Sequence, residues 1–245
     1  MSNTLPSINI PTLVVFCKRP KLNQGKQRLV EATSAEHALI VAQGLLACAI
    51  EDTKAWQGPV IIACSEESDI QWAQALNTKA KVIAQLPLKV NSELKGQLSG
   101  NLGQRLNHVD QTLRALGHQK IIIIGTDAPI LNNTHYQAAI TALNKNDVVL
   151  SHADDGGVVI MANSTPWPNI SMLPWSTEHL SQALANACCD KGLSVHYSTP
   201  GYDIDYVADI EKLSIDLIND HRPARQALLV TINQLFVSSG TKNHA

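Results

Sequence analysis

The chain has 245 residues, of which 44% are apolar, 16% charged and only 4% aromatic, and its formal net charge is −2. This length and apolar content suffice for one large domain with its own core. A nearly balanced charge offers no general attraction to nucleic acid or anionic membranes, and the few aromatics provide little stacking surface for single strands. We therefore expect a small-molecule ligand and no nucleic-acid partner.

Neither a targeting segment nor a membrane span is expected. Residues 1–9 lack a basic region and an apolar run, and apolar stretches such as 121–124 are far too short to cross a bilayer. The five cysteines form no C-x-x-C pair and the nine histidines no H-x-x-x-H spacing. These patterns are typical of reduced thiols without a zinc site, and they predict a cytoplasmic location.

Apolar runs and amphipathic stretches alternate along the chain. Short continuous apolar runs predict strands buried on both faces, at 13–17, 60–64, 81–84, 120–125, 147–150, 158–161 and 193–197. Helical spacing predicts helices at 33–55, 68–76, 102–116, 134–143, 178–188, 207–218 and 224–236. The first helix opens on an apparent capping box, Thr33-Ser-Ala-Glu36. A polar, irregular stretch separates the third strand from Gly100.

This alternation predicts an α/β fold. We expect a three-layer arrangement, with a mostly parallel mixed sheet covered by helices on both faces. Residues 1–237 are expected to form a single domain, and residues 238–245 a frayed tail. In open sheets of this kind, ligands bind in the crevice at the carboxyl ends of the strands. Function should therefore be sought in the residues that follow each strand.

A basic segment follows the first strand. Residues 18–28 hold five of the 19 basic residues of the chain, together with Pro20 and Gly25, and they predict a turn that binds phosphate or diphosphate. A solvated basic loop is the alternative. The segment lacks the three glycines of a dinucleotide-binding turn. It also lacks Walker A spacing, because Gln27 follows Gly25-Lys26.

Carboxylates follow three later strands. Asp127 comes at the tip of the strand 120–125, where it can share Mg²⁺ or Mn²⁺ with substrate phosphates or, alternatively, cap the next turn. Asp154 and Asp155 precede two glycines, which indicates either a ligand that neutralises both carboxylates or a plain hairpin turn. Asp203 and Asp205 lie on one side of the chain, although Asp205 is equally placed to cap the next helix.

Seven short pieces, in order, resemble a known family. They are Phe16-Cys-Lys-Arg-Pro20, Lys26-Gln-Arg-Leu29, Gly100-Asn-Leu-Gly-Gln-Arg-Leu106, Ile124-Gly-Thr-Asp-Ala-Pro129, Ala153-Asp-Asp-Gly-Gly157, Pro174-Trp-Ser-Thr177 and Asp203-Ile-Asp205. The chain resembles the bacterial family of glycosyltransferase-A-fold (GT-A) transferases of unknown substrate, which are nucleotide-diphospho-sugar transferase-like and are associated with radical-SAM or selenium gene clusters.

The resemblance implies a role for each matching residue. Asp127 and Asp205 would hold Mg²⁺ or Mn²⁺. The nucleotide would be bound by Lys18, Lys26, Arg28, Gly100 and Arg105. Asp154 and Asp155 would be catalytic, anchoring the acceptor hydroxyl or taking its proton, with Gly156, Gly157 and Trp175 also facing the acceptor.

We therefore expect a metal-dependent transferase that uses a nucleoside-diphosphate sugar, or a related nucleotide, and a small-molecule acceptor. One alternative is a nucleotidyltransferase like the guanylyltransferases of phospholactate or molybdenum-cofactor synthesis. The other is a non-catalytic nucleotide-binding protein, because Asn23 and Gln27 depart from the family's first loop. A homo-oligomer is compatible with the sequence, which does not decide the oligomeric state.

Overall fold

The structure, a computed structural model, describes residues 10–86 and 100–237. Within these residues the strands are β1 Thr12–Cys17, β2 Val60–Cys64, β3 Lys81–Ala84, β4 Ile121–Ile124, β5 Val148–His152, β6 Val158–Asn163 and β7 Val195–Tyr197. The helices are α1 Gln27–Ala32, α2 Ala35–Ala55, α3 Ile70–Leu76, α4 Leu102–Ala115, α5 Asn133–Leu143, α6 Leu180–Cys189, α7 Val207–Asp216 and α8 Pro223–Ile232. None of these described helices is both long and apolar enough to cross a membrane.

The described strands form one seven-stranded sheet in the order β3-β2-β1-β4-β6-β5-β7. Neighbours run parallel except at β6, which is antiparallel to both β4 and β5. This confirms the mostly parallel mixed sheet. Val15 lies opposite both Ile62 and Ile124, so the parallel strands β1, β2 and β4 end at the same edge. The turn from β5 into β6 also lies there, because β6 runs the other way.

Apolar side chains fill both faces of the sheet. Leu13, Val14 and Val15 of β1 are all fully buried, because alternate residues point to opposite faces and both faces are covered. Helices α2, α3 and α5 pack on one face, and α4 and α6 on the other. Helices α1, α7 and α8 pack on the outer side of α2, around Leu45 and Leu228. These three helices form a fourth layer, outside the predicted arrangement of one sheet between two helical layers.

The structure departs from the sequence predictions at the basic segment and at the start of α2. The basic segment is not a turn throughout, since α1 begins at Gln27 and buries Leu29 completely against the outer helical layer. The predicted capping box at Thr33 is wrong, because the N-cap of α2 is Ser34, whose side chain accepts from the His37 N–H. The expected tail 238–245, and most of the irregular stretch before Gly100, lie outside the described residues.

Candidate active site

A cavity of about 520 Å³ opens where the strands end. Its walls come from the residues that follow β1, β2, β3 and β4, from α1 and α4, from the β5–β6 turn and the start of β6, from the segment 175–180 and from the residues before α7. Eight of the residues proposed from the sequence line it: Lys18, Arg28, Arg105, Asp127, Asp155, Gly157, Trp175 and Asp205. The other four, Lys26, Gly100, Asp154 and Gly156, lie outside this lining.

Three carboxylates meet in this cavity. Asp127 follows β4, and its carbonyl oxygen accepts from the Ile204 N–H at 2.9 Å, which brings the segment after β7 alongside. One oxygen each of Asp127, Asp203 and Asp205 therefore lies within 4.8 Å of the others. Asp205 does not cap α7, because the cap residue is Tyr206 and Asp209 accepts its N–H. The Asp205 carboxylate is left facing the cavity.

From the sequence, Asp203 was expected on the same side of the chain as Asp205, but it was not proposed as a site residue. Burial, together with the neighbouring carboxylates of Asp127, Asp155 and Asp205, raises the pKa of Asp203 to about 7. A carboxylate with three like charges nearby is a natural partner for a cation. The alternation of Asp203 and Asp205 along an extended chain was the signal that could have identified it.

Lys26 lies beneath the carboxylates and contacts both predicted metal ligands. Its Nζ donates to Asp127 Oδ2 at 3.3 Å, to Asp205 Oδ1 at 3.0 Å and to the Ile204 carbonyl. Burial alone would lower the pKa of Lys26, but Asp127 and Asp205 outweigh burial and raise it. Arg28 is also paired, since its Nη1 donates to Asp205 Oδ2 at 2.8 Å. These two cations are already engaged by carboxylates.

Lys18 and Arg105 are the lining cations without a carboxylate partner among the described residues. Within the described ranges the Arg105 guanidinium donates to neutral oxygens, the Gly100 carbonyl at 3.2 Å and Gln85 Oε1 at 3.4 Å. Burial lowers the pKa of Arg105, although a guanidinium remains charged at any physiological pH. Gly100 thus positions Arg105 and does not line the cavity itself. Lys18 and Arg105 are available to an anion.

The remaining two cations of the basic segment point elsewhere. Arg19 lies 3.6 Å from Asp69, and Lys21 lies 3.7 Å from Glu66 and 3.6 Å from Asp69. These pairs tie the segment to the acidic turn before α3. The five basic residues are therefore not one phosphate-binding group, and among the residues that the structure describes only Lys18 of the five lacks a carboxylate partner.

The two adjacent carboxylates after β5 have different surroundings. They lie in a tight turn closed by the hydrogen bond from Gly156 N to the Ala153 carbonyl at 3.0 Å. Asp155 Oδ1 accepts from Gly157 N at 2.9 Å, and the side chain lines the cavity. Asp154 points away from the cavity, where its Oδ2 accepts from Lys212 Nζ at 2.6 Å. The segment is a hairpin turn that also presents one carboxylate to the site.

Gly156 shapes this turn and does not contact the cavity. Its φ is +85°, and an added Cβ would lie 2.0 Å from the Glu178 carbonyl oxygen. Its own carbonyl accepts from the Ser181 N–H at 3.0 Å, so the turn packs tightly on the start of α6. Trp175 does line the cavity, and its indole N–H donates to the Ile170 carbonyl at 3.0 Å.

Sequence reasoning missed two further lining residues. Ser65 directly follows β2, and its buried hydroxyl has no hydrogen-bond partner among the described residues. Gln85 directly follows β3 and donates to the Ala63 carbonyl at 2.9 Å. Both occupy strand ends, so the rule that identified Asp127 could have found them.

A buried ionic network supports the segment that carries Asp127. Arg225 of α8 is fully buried and pairs with Glu51 at 3.0 Å and with Asp52 at 2.8 Å. Its guanidinium also donates to the carbonyls of Pro129 and Leu131. These bonds fix the chain just after Asp127 against α2. Nothing in the sequence pattern of α8 predicted this role.

Comparisons with known proteins support the same fold. The profile of a family described as uncharacterized proteins conserved in bacteria, DUF2064, matches residues 49–177. A candidate nucleotide-diphospho-sugar transferase from Desulfovibrio desulfuricans G20 has a TM-score of 0.77 and 20% identity, covering 93% of this chain and 98% of that one. A cytidylyltransferase from Leptospira borgpetersenii serovar Hardjo-bovis has a TM-score of 0.53 and 13% identity, covering 97% and 98%. No curated protein matches significantly. The predicted GT-A-like fold is confirmed.

Proposed function

The chain belongs to the DUF2064 family of uncharacterized bacterial proteins, and we propose that it is a transferase acting on a nucleoside-diphosphate sugar or a related nucleotide. One observation carries this proposal. A single cavity contains two cations, Lys18 and Arg105, that have no carboxylate partner in the described part of the chain, together with the carboxylates Asp127, Asp203 and Asp205. Phosphate oxygens pair with the former, and a hard divalent cation with the latter.

The diphosphate would bind between Lys18 and Arg105. Arg105 is held by two neutral acceptors, so no carboxylate has to be displaced when it receives a phosphate. Lys18 is exposed at the rim of the cavity. Lys26 and Arg28 would act through Asp127 and Asp205, whose positions they hold, and not on the phosphates directly.

The carboxylate group fits Mg²⁺ or Mn²⁺. Three carboxylate oxygens within 4.8 Å of one another are the ligand type that these ions prefer. Asp127, Asp203 and Asp205 would hold the ion, and Lys26 Nζ would adjust its contacts with Asp127 and Asp205. When bound, the ion would stabilise negative charge on the leaving diphosphate.

Asp155 would act on the acceptor. Its carboxylate lines the cavity from the turn between β5 and β6, fixed by the bond from Gly157 N. A carboxylate in this position can orient an acceptor hydroxyl and take its proton as the new bond forms. Asp154, paired with Lys212 outside the cavity, has no part in this scheme.

Calorimetric titration with UDP, GDP, CDP and ADP, in Mn²⁺ and again in EDTA, tests the binding half of the proposal. We expect at least one diphosphate to bind, more tightly with Mn²⁺, and its nucleoside to bind far more weakly. Incubation with the matching nucleotide sugars then tests transfer, with products identified by mass spectrometry. If no diphosphate binds in the presence of Mn²⁺, the proposal is wrong.

Two alternatives predict other outcomes in the same assays. A nucleotidyltransferase, the class of the Leptospira protein that shares this fold, would release pyrophosphate from a nucleoside triphosphate. A non-catalytic binding protein would be stabilised by nucleotides in thermal unfolding and would turn over neither substrate type.

A further inference from the structure

The cavity is divided by charge along the sheet. The strand order places β3, β2 and β1 on one side of β4, and β6 and β5 on the other. The lining cations Lys18, Arg28 and Arg105 come from the segments that follow β1 and from α4. Among the described residues, no lysine, arginine or histidine lines the cavity from the β5–β6 turn, the start of β6 or the segment 175–180.

This second end of the cavity carries a carboxylate instead. Within the described part of the chain, the hydrogen bond from Gly157 N to Oδ1 is the one made by the Asp155 side chain, so Oδ2 is available to a ligand. Lys212 lies close to this turn, but its Nζ donates to Asp154 outside the cavity. An anionic ligand here would face Asp155 without a compensating cation from the described lining.

Apolar side chains line the same end of the cavity as Asp155. Val158 and Leu180 line the same end, and Trp175 forms part of the wall. The indole is held rigidly, because its N–H bonds the Ile170 carbonyl and a Cβ at Gly103 would lie only 2.5 Å from Nε1. A rigid apolar wall beside a carboxylate suits a carbon skeleton that presents a hydroxyl or an amine.

We propose that the acceptor is a neutral or cationic alcohol or amine with an apolar face, and not a phosphomonoester. The inference rests on the proposed transferase function and names the substrate class of its second site. The acceptor oxygen or nitrogen forms a bond to the transferred carbon, and the bond from that carbon to the diphosphate oxygen breaks. The electron pair leaves with the diphosphate, and the acceptor proton passes to Asp155.

Matched acceptor pairs test the substrate class. Glycerol and glycerol 3-phosphate, glucose and glucose 6-phosphate, and ethanolamine and phosphoethanolamine are each supplied with UDP-glucose or GDP-mannose. Nucleotide release and product mass are measured for both members of each pair. We expect the unphosphorylated member to be used at least tenfold better. Faster transfer to a phosphorylated member would overturn the inference.

A charge-selective thiol reagent tests the same end of the cavity without any donor. Thr177→Cys, in a Cys189→Ser background, places a thiol in the lining, and Gln182→Cys places a control on the exposed side of α6. For each thiol, the rate of modification by a cationic methanethiosulfonate is divided by the rate with an anionic one. We expect this ratio to be at least fivefold higher at position 177 than at position 182. Asp155→Asn should bring the two ratios closer together.

The two readouts separate the possible failures. If no diphosphate binds, the transferase proposal and this inference fall together. If diphosphates bind but the rate ratio at position 177 equals that of the control, only the acceptor inference is overturned. If no acceptor in the panel is used, the rate ratio alone decides, because it needs no turnover.

Discussion

Lys26 Nζ lies 3.3 Å from Asp127 Oδ2 and so joins the segment after β1 to the end of β4, 101 residues away in sequence. The side chain of Asp127 is 41% exposed, whereas that of Lys26 is 14% exposed. The carboxylate can therefore reach a ligand while the ammonium stays beneath it.

Asp127→Asn should abolish Mn²⁺-dependent nucleotide binding and leave the fold intact. The substitution removes a central carboxylate, whereas a partly exposed ion pair contributes only about 0–1 kcal/mol to stability. Calorimetry with Mn²⁺ and the nucleoside diphosphate measures the first effect, and thermal unfolding the second. Asp154→Asn, outside the cavity, is the control. Wild-type affinity in Asp127→Asn would rule out the metal assignment.

Lys18→Ala should weaken diphosphate binding by about 1.5–3 kcal/mol, the usual contribution of a hydrogen bond to a charged group. The neighbouring Arg19→Ala is a matched control, because Arg19 pairs with Asp69 and does not line the cavity. Binding of the nucleoside should change little in either variant. Equal losses in the two variants, or equal losses for nucleoside and diphosphate, would mean that Lys18 is only a surface charge.

Asp155→Asn should lower turnover by roughly 10²–10⁴-fold, the range for a lost general base, while nucleotide binding persists. Asp154→Asn should retain nearly full activity, since its carboxylate faces Lys212. Asn is as good a turn former as Asp, so the hairpin should survive in both variants. Steady-state kinetics distinguishes them, and near-wild-type rates in Asp155→Asn would remove this residue from the mechanism.

Gly156→Ala should destabilise the protein more than Gly192→Ala. Both glycines have positive φ, +85° and +75°, which costs a residue with a Cβ about 1–2 kcal/mol. Only at Gly156 would the new Cβ also meet backbone, the Glu178 carbonyl, whereas nothing lies within 4 Å at Gly192. Denaturant unfolding of the two variants gives the comparison. A smaller loss for Gly156→Ala would contradict the tight packing of this turn on α6.

Asp220→Asn should reduce stability near pH 7 and make little difference in acid. Burial alone would raise the pKa of Asp220, but hydrogen bonds and charge from Arg222 outweigh it and lower the pKa below that of the unfolded chain. Its contribution is therefore present above the unfolded pKa, and it is lost as pH falls through the folded one. Unfolding free energies between pH 7 and 3 should show the variant approaching wild type, and a difference that persists at pH 3 would contradict this role of Asp220.

The local features of the fold were predictable from the sequence. The runs 13–17 and 121–124 are short and apolar without interruption, which is typical of a strand buried on both faces. Asp127 could be predicted as a site residue because it follows the second of these strands. Helix α1 escaped prediction because six residues are too few for a periodic pattern. Its stability comes from burying Leu29 against distant helices.

The sequence by itself determined that cations follow the first strand and that carboxylates follow three later strands. Tertiary structure alone decided which of these charges face the cavity. Arg19 and Lys21 are drawn to Glu66 and Asp69, whereas Lys18 is not. Asp154 and Asp155 are neighbours in sequence but face Lys212 and the cavity respectively. The reason is physical: a side chain's direction depends on partners that folding brings from remote segments, and no local pattern encodes those contacts.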